Sequence, residues 1–225
     1  MGDVAVASIP PTDTAPAEPA GSRPGRFGYG VLGAAVVAAL LVGFAGGMLA
    51  LRPDPTPGDD SAEAGFARDM ITHHDQAVTM GMIAYEHATV PEVRQLAYDI
   101  AMTQQGQIGM MHQWLRDWGL SPTSSQPRMA WMQEDLDAQL VLDDGLMPGM
   151  ATPEQLAELR EAEGVEVDRL FLELMSRHHL GGIHMVEGVL ERSDEPEVTW
   201  LAGLMESGQA KEMEVLRDLQ AGLEE

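Results

Sequence analysis

The feature that most limits how this chain can fold is an internal repeat. Shifting the sequence by 105 residues aligns Phe66–Leu115 with Phe171–Gln220 without a gap, and 12 of the 50 aligned positions are identical. Ordinary composition would give roughly three identities by chance. Each copy consists of a predicted helix, a short turn that ends in proline and a second predicted helix. Because two such hairpins bury their apolar faces against each other, the repeat predicts a four-helix bundle.

The residue types also favour helix over strand. Ala, Leu, Met, Glu and Gln are abundant, aromatic residues make up 5% of the chain, and alternating Val/Ile/Thr runs are missing. We therefore expect an all-α chain, with Thr152, Pro153 and Gln155 starting one helix as N-cap, N1 and N3. The predicted helices cover about residues 61–88, 91–118, 128–142 (a shorter one), 165–192 and 196–223, and residues 145–151 form a loop.

The N-terminal quarter of the chain has the pattern of an exported protein. Residues 1–26 are rich in Pro, Ala, Gly and Ser, which predicts a disordered tail. Residues 27–51 carry no charge and exceed the ~20 residues that span a bilayer. Arg23 and Arg26 precede this stretch and Asp54 follows it, which favours a cytoplasmic N-terminus and a single-pass membrane protein with its main domain outside. A cleaved signal peptide is the alternative, and it would also export the domain.

The remaining chain divides into a linker and one repeat-containing domain. Residues 52–60 form a Pro/Asp/Gly linker, and residues 61–225 form the domain. Its repeats are 66–115 and 171–220, and residues 119–164 form the connection. The chain has a net charge of −23, which comes entirely from residues 53–225, because residues 1–52 carry three acidic and three Arg side chains. Such a domain repels nucleic acid and anionic lipid and attracts cations, so its only predicted membrane contact is the N-terminal helix.

A helical wheel places an adjacent His pair of each repeat on an apolar helix face. Met70 and Met80 share the face of His73 and His74 in the first copy; Met175 and Met185 share that of His178 and His179 in the second. The matched Gln104 and Gln209 point inward and are the predicted hydrogen-bond partners. Met111 and His112 also point inward, and Met213 and Arg217 occupy the positions of Ile108 and His112. The residues predicted to point outward are Arg68, Asp75, Thr79, Glu86, Met102, Met110 and His184.

This arrangement of residues is typical of a soft-metal site. Buried imidazoles need partners, and a repeated His-His pair is hard to explain by packing alone. Thioether sulfur binds Cu(I), whereas imidazole suits Cu(I), Cu(II) and zinc, and the chain has no Cys to provide thiolates. We therefore predict copper, with zinc as an alternative at the His side chains alone. The candidate ligands are Met70, His73, His74, Met80, Met111, His112, Met175, His178, His179 and Met185.

For three further residues, the sequence leaves open whether they bind metal. Met147 and Met150, in a Met-x-x-Met loop, could be mobile copper ligands or could cap the end of the bundle. His87 lies on the flank of the first helix that His73 and Met80 share, and it is a weaker candidate.

Two other classes of protein compete with a copper-binding protein. A ferritin-like redox enzyme with two iron ions needs Glu-x-x-His motifs, which the sequence lacks, and the matched Glu86 and Glu191 point outward. Phosphate-binding loops, hydrolase motifs and a Cys nucleophile are also missing, so we do not expect an enzyme. A helical interaction module, in which Met and His merely pack, is the other alternative. It predicts that metal ions leave the thermal stability unchanged.

The motifs resemble a known bacterial family. Phe66–Met80 and Phe171–Met185 resemble the tandem signature of Domain of Unknown Function 305, as do Met147–Gln155 and Trp114-Leu115. The resemblance covers roughly residues 61–222. It implies a ferritin-like four-helix bundle, and some members are periplasmic copper-binding proteins that use Met and His and are linked to copper resistance. The ligands that it implies are Met70, His73, His74, Met80, Met175, His178, His179 and Met185.

The two halves of the predicted site differ. The family often has an acidic or Gln residue after its His pair, a habit that Asp75 follows and Leu180 does not. We therefore expect the halves to bind metal unequally. The function predicted from the sequence is extracytoplasmic copper sequestration, transfer or resistance, with a copper-transfer protein as a partner.

Overall fold

The structure is a computed structural model that describes residues 26–50, 56–132 and 145–223. Within these ranges the chain is helical and contains no β-strand, which confirms the predicted all-α class. The helices are α1 (Arg26–Ala50), α2 (Ala62–His87), α3 (Pro91–Asp117), α4 (Pro153–Glu161), α5 (Val165–Leu190) and α6 (Pro196–Leu223), with a short 3₁₀ helix at Ala130–Met132.

Helix α1 forms a unit of its own. Its segment Gly30–Met48 has 19 residues and a mean hydropathy of 2.2, so it is long and apolar enough to cross a membrane. A signal sequence near an N-terminus has the same properties. The predicted disordered tail, apart from Arg26 at the start of α1, lies outside the described residues, as do Leu51 and residues 52–55 of the predicted linker.

The other unit is built from two helical hairpins, α2 with α3 and α5 with α6. The Ser61 side chain caps α2 by accepting from the Ala64 backbone N–H. Pro91 and Pro196 each occupy the first position of the second helix in their hairpin, where a missing N–H costs nothing. The hairpins predicted from the repeat are therefore present.

Helices α2 and α5 run antiparallel and form the main contact between the hairpins, whereas α3 and α6 barely touch. Asp168, at the start of α5 and fully buried, accepts from the backbone N–H groups of Thr89 and Val90 and from the Thr89 hydroxyl. Val90 is the N-cap of α3 and has no capping side chain of its own. Asp168 therefore caps α3 from the other hairpin and ties the two hairpins together.

The buried apolar residues form two clusters along α2 and α5. One contains Met70 and Met185, and the other contains Met80 and Met175. Along α2, the His73–His74 pair separates Met70 from Met80. The antiparallel packing of α2 and α5 thus pairs the first Met of one repeat with the last Met of the other.

Two predictions about the end of the bundle near the start of α2 were wrong. The predicted helix at 128–142 is not formed at its start; Met129 has a φ of 61° and only Ala130–Met132 is helical, while residues 133–144 lie outside the described residues. The reason is that the buried Asp69 carboxylate accepts from the Met129 N–H and the Trp131 Nε1–H, which fixes a tight turn. Arg68 was expected outside but is buried, because neighbouring segments cover it and the carbonyl oxygens of Asp59 and Ser121 accept from its guanidinium group.

Candidate metal centre

The two His pairs meet where α2 packs against α5. Each of the four imidazoles is at most 1% exposed. The ring centroids of His73 and His178, which are equivalent in the repeat, lie 3.7 Å apart with an angle of 33° between the planes. The ring of His74 lies 6.5 Å from that of His73. The His pairs, which the helical wheel places on the apolar face of each repeat, therefore lie together between α2 and α5.

The inner pair of rings is held by backbone carbonyl groups. The Nε2–H of His73 donates to the Pro148 carbonyl at 3.0 Å, and the Nε2–H of His178 donates to the His73 carbonyl at 3.0 Å. Since a carbonyl oxygen can only accept, both rings carry their proton on Nε2. The first ring is thus oriented by the loop before α4, and the second by the opposite repeat.

Two glycines allow this loop to reach His73. A Cβ atom on Gly181 of α5 would lie 2.1 Å from the Pro148 carbonyl oxygen, so only glycine permits the loop to lie against α5. Gly149 has a φ of +74° and passes close to the Arg177 carbonyl oxygen. The Gln76 side chain anchors the same loop by donating to and accepting from the Ala151 backbone.

The outer pair of rings is held by side chains at equivalent repeat positions. The Nε2–H of His74 donates to the Gln107 Oε1 at 2.8 Å, and the Nε2–H of His179 donates to the Glu212 Oε2 at 2.6 Å. Positions 107 and 212 are separated by the repeat offset of 105 residues. One half therefore has a neutral amide where the other has a carboxylate.

The remaining ring nitrogens are the unusual feature of the centre. The Nδ1 atoms of His73, His74 and His179 are buried and have no hydrogen-bond partner. Burial lowers the pKa of His73 to about 4, and burial together with the nearby His73 lowers the pKa of His74 to about 3. Burial also holds the pKa of His178 well below its ordinary value. Rings that are neutral and protonated on Nε2 have an unused lone pair on Nδ1.

The candidate Met ligands lie on both sides of the His pairs along α2 and α5. Met70, Met111 and Met185 belong to one buried cluster, and Met80 and Met175 belong to the other; all five are fully buried. Each cluster therefore contains at least one candidate Met ligand from each repeat.

The loop methionines are buried in the core. Met147 is 1% exposed and Met150 is 5% exposed, and both pack into the cluster that contains Met70. Of the two interpretations left open by the sequence, the cap on the end of the bundle is the one that the structure favours.

Other residues from the sequence prediction fall at the edge of the centre or outside it. His112 is half-buried rather than enclosed, and His87 is exposed and lies beside Glu86. Met102 is 54% exposed, as predicted. The outward positions predicted for Met110 and His184 were wrong. Met110 on α3 is half-buried because it packs against the core cluster, and His184 on α5 is half-buried with its Nε2 enclosed.

The predicted hydrogen-bond partners of the His pairs were the wrong glutamines. Gln104 and Gln209 are buried, but no hydrogen bond to a His involves them, and the Gln104 Oε1 has no partner. The partners are the carbonyl groups of Pro148 and His73 and the side chains of Gln107 and Glu212. Positions 107 and 212 are aligned in the repeat but carry Gln and Glu, so a search for identical residues misses them. The sequence signal that could have found them is that both aligned positions are polar.

The chemistry of the centre is that of soft ligands. Within the described ranges, no three side chains of His, Cys, Asp and Glu, the four His included, are placed to hold a metal ion by themselves. A metal ion bound here would therefore also need the thioethers of the neighbouring methionines, and a mixed set of imidazole and thioether suits copper.

Fold and site together define an all-α protein made of two repeated hairpins around a buried His/Met centre. The chain belongs to the family described as "Domain of unknown function (DUF305)", whose model matches residues 63–220. This confirms the family resemblance of the sequence motifs. None of the curated proteins compared matches this chain.

Solved structures of the family share the fold. A DUF305 protein from Streptomyces coelicolor, named as a secreted protein, is 43% identical with a TM-score of 0.66, and the match covers 73% of this chain and 95% of that one. A DUF305 fragment from Deinococcus radiodurans is 29% identical with a TM-score of 0.59, covering 75% and 99%. CopM in the Cu(I)-bound form is 21% identical with a TM-score of 0.56, covering 72% and 97%.

Proposed function

We propose that this chain is an extracytoplasmic copper-binding protein that sequesters copper or passes it to a partner. The observation that carries the proposal is the set of buried Nδ1 atoms without partners on His73, His74 and His179. A buried polar atom that makes no hydrogen bond costs about 1–3 kcal/mol, so three in one centre need an explanation. A metal ion that accepts their lone pairs provides one.

The outer contacts of the rings also suit a metal centre. A His that ligates a metal usually donates its other ring N–H to a carbonyl or carboxylate group, which fixes its orientation. All four rings donate in this way, to Pro148, His73, Gln107 and Glu212. The protons are thus held on Nε2, and the Nδ1 lone pairs of His73, His74 and His179 make no hydrogen bond.

The identity of the metal follows from the sulfur atoms near the His pairs. Thioether sulfur prefers Cu(I), and imidazole accepts both copper oxidation states. The proposed ligands are His73, His74, His178 and His179 with Met70, Met80, Met175 and Met185; Met111 is an additional candidate in the same buried cluster as Met70. Half-buried His112 is a peripheral candidate.

The structural relative CopM supports the choice of copper. CopM has been solved in Cu(I)-bound, Cu(II)-bound and silver-bound forms. At 20–24% identity it shares the fold with this chain. Silver and Cu(I) are both soft ions, which is the preference that we propose here.

The proposed role is binding rather than catalysis. A ferritin-like redox enzyme with two iron ions would need Glu-x-x-His motifs, which the sequence lacks. A copper-transfer protein would then be the natural partner, because a buried site releases its ion most readily by ligand exchange within a complex.

The proposed location is outside the cytoplasmic membrane. Helix α1 has the length and hydropathy of a membrane span or signal sequence, and the relative from Streptomyces coelicolor is named as secreted. We propose the anchored form, with a cytoplasmic N-terminus. Protease added to intact spheroplasts should then digest the domain of residues 56–223. Without protease, the intact protein should stay in the membrane fraction after carbonate washing.

A competition titration tests the proposed function. The full chain in detergent micelles is titrated with Cu(I) against a chromophoric chelator, with Zn(II) in a parallel series. We expect stoichiometric uptake of Cu(I) and little uptake of Zn(II). The matched variant, with His73, His74, His178 and His179 all replaced by Ala, should lose most of the affinity. Uptake of neither ion by the native chain would contradict the proposal and favour a helical interaction module.

A further inference from the structure

The two halves of the His/Met centre differ in the residue that holds the outer ring. His74 donates to the amide of Gln107, whereas its repeat equivalent His179 donates to the carboxylate of Glu212. The two contacts join equivalent positions of the repeats, since each partner lies 33 residues after its His, in the second helix of the same hairpin. Both repeats therefore form the contact to the outer ring, but the partner side chain is neutral in the first repeat and carries a carboxylate in the second.

The carboxylate lies close to a fully buried ring. The His179 side chain is 0% exposed, the Glu212 side chain is 24% exposed, and the Nε2–Oε2 distance is 2.6 Å. The Nδ1 of the same ring is buried without a partner. The arrangement favours a ring that donates to Glu212 and has a free lone pair on Nδ1.

A carboxylate changes such a ring in two ways. It draws the Nε2–H proton toward itself, which makes Nδ1 a more basic ligand. It also adds one negative charge near the site, and the attraction between that charge and a metal ion doubles from a monovalent to a divalent ion. An amide has neither effect to a comparable degree.

We infer that Glu212 is a positioning residue that, through His179, raises the preference of the shared centre for Cu(II), whereas the neutral Gln107 adds no such preference through His74. The inference rests on the proposed function and deepens it. The shared centre would then bind both oxidation states, and Glu212 would set how strongly Cu(II) is favoured.

Reciprocal exchange of the two partners tests the inference. Glu212→Gln gives the second half the partner of the first, and Gln107→Glu does the opposite. Each full-length variant in detergent is titrated with Cu(II) and, separately under anaerobic conditions, with Cu(I). Replacing an outer partner of a ligand usually costs 10- to 100-fold in affinity. We expect Glu212→Gln to weaken Cu(II) binding at least about tenfold and Cu(I) binding by less than about threefold.

The reciprocal variant and a spectroscopic signature separate this role from a structural one. Gln107→Glu should strengthen Cu(II) binding by about tenfold. Electron paramagnetic resonance of the Cu(II)-loaded protein should change its copper hyperfine splitting in both variants. Glu214→Gln, an exposed acidic residue on the same helix, should change neither property.

Each outcome decides the inference. Native protein that binds copper, with the same ratio of Cu(II) to Cu(I) affinity in Glu212→Gln, would overturn the role of Glu212 and leave the proposed function intact. Native protein that binds neither ion would overturn both. If Glu212→Gln fails to fold, Gln107→Glu decides: a gain in Cu(II) affinity supports the inference, and no gain overturns it.

Discussion

The Nε2–H of His178 donates to the backbone carbonyl of His73, and the rings of these two residues lie 3.7 Å apart, centroid to centroid. The contact joins equivalent positions of the two repeats across α2 and α5. It is not symmetric, because the Nε2–H of His73 donates to Pro148 instead. A change in one ring must therefore affect the other, which makes the two halves of the centre parts of one unit.

This contact leads to the first prediction, that His73 and His178 act together in copper binding. His73→Ala and His178→Ala should each lower the Cu(I) affinity by at least about 100-fold, the upper range for loss of a partner group. The loss of Cu(I)-binding free energy in the double variant should be smaller than the sum of the losses in the two single variants, because each single change already disturbs the shared site. Competition titration measures all three. Exposed His87→Ala is the control, and additive losses would contradict a single unit.

The second prediction concerns the methionines and separates the two oxidation states. Leu has nearly the volume of Met, so Met70→Leu with Met185→Leu should cost less than about 1.5 kcal/mol of stability per site. The thioether is lost, however, and Cu(I) affinity should fall more than Cu(II) affinity. Parallel titrations measure this, with exposed Met102→Leu as the control. An equal loss for both ions would mean that the sulfur atoms only pack.

The third prediction is that the metal-free protein loses stability in mild acid. The pKa of His73 is lowered from 6.5 to about 4 by burial, and that of His74 to about 3. A group with a lowered pKa takes up protons more readily when unfolded, so its stability contribution is present above pH 6.5 and is lost as the pH falls toward the folded-state value. One pKa unit corresponds to about 1.4 kcal/mol, so His73 alone should cost about 3 kcal/mol by pH 4. Urea denaturation between pH 7 and pH 4 measures this loss.

Asp69 opposes this trend and must be separated from it. Burial raises the pKa of Asp69, so its carboxyl group favours folding most below pH 3.8 and loses that contribution as the pH rises through its folded-state value. An Asp69→Asn variant removes the opposing group and should show the steeper acid loss. The exposed His87→Gln variant should follow the native pH profile. A free energy of unfolding that stays constant from pH 7 to pH 4 in the native chain and in Asp69→Asn would contradict neutral buried rings.

The fourth prediction is that Asp168 stabilises the bundle. Its carboxylate accepts three hydrogen bonds at the start of α3 from the opposite hairpin. Asp168→Asn keeps the size but removes the charge and turns one acceptor into a donor. Hydrogen bonds to charged groups contribute about 1.5–3 kcal/mol, so we expect a loss of about 2–3 kcal/mol in the free energy of unfolding. Exposed Glu187→Gln on the same helix should cost less than about 0.5 kcal/mol, and an equal effect of the two changes would refute the role of Asp168.

Much of the fold follows from the repeat and from local signals. Pro91 and Pro196 mark the second helix of each hairpin, and Thr152 with Gln155 forms the predicted capping box. The inward position of both His pairs also follows from helical periodicity. These features depend on residues close in sequence, and local spacing is sufficient to read them.

What the sequence could not predict depends on contacts between distant segments. The burial of Arg68 requires Asp59 and Ser121 to converge on it, and the turn at Met129 requires Asp69. The partner of His73 is a backbone carbonyl 75 residues away, which has no signature in the residue type. Such contacts are set by how the connection between the repeats folds over the helices.

X-ray absorption spectroscopy of the Cu(I)-loaded full chain tests the central claim most directly, because it reports the atoms bound to copper. We expect both nitrogen and sulfur scatterers in the native protein. The variant with His73, His74, His178 and His179 replaced by Ala should lose the nitrogen signal, and the variant with Met70, Met80, Met175 and Met185 replaced by Leu should lose the sulfur signal. A copper shell made only of oxygen and nitrogen, unchanged in both variants, would contradict a buried His/Met copper centre.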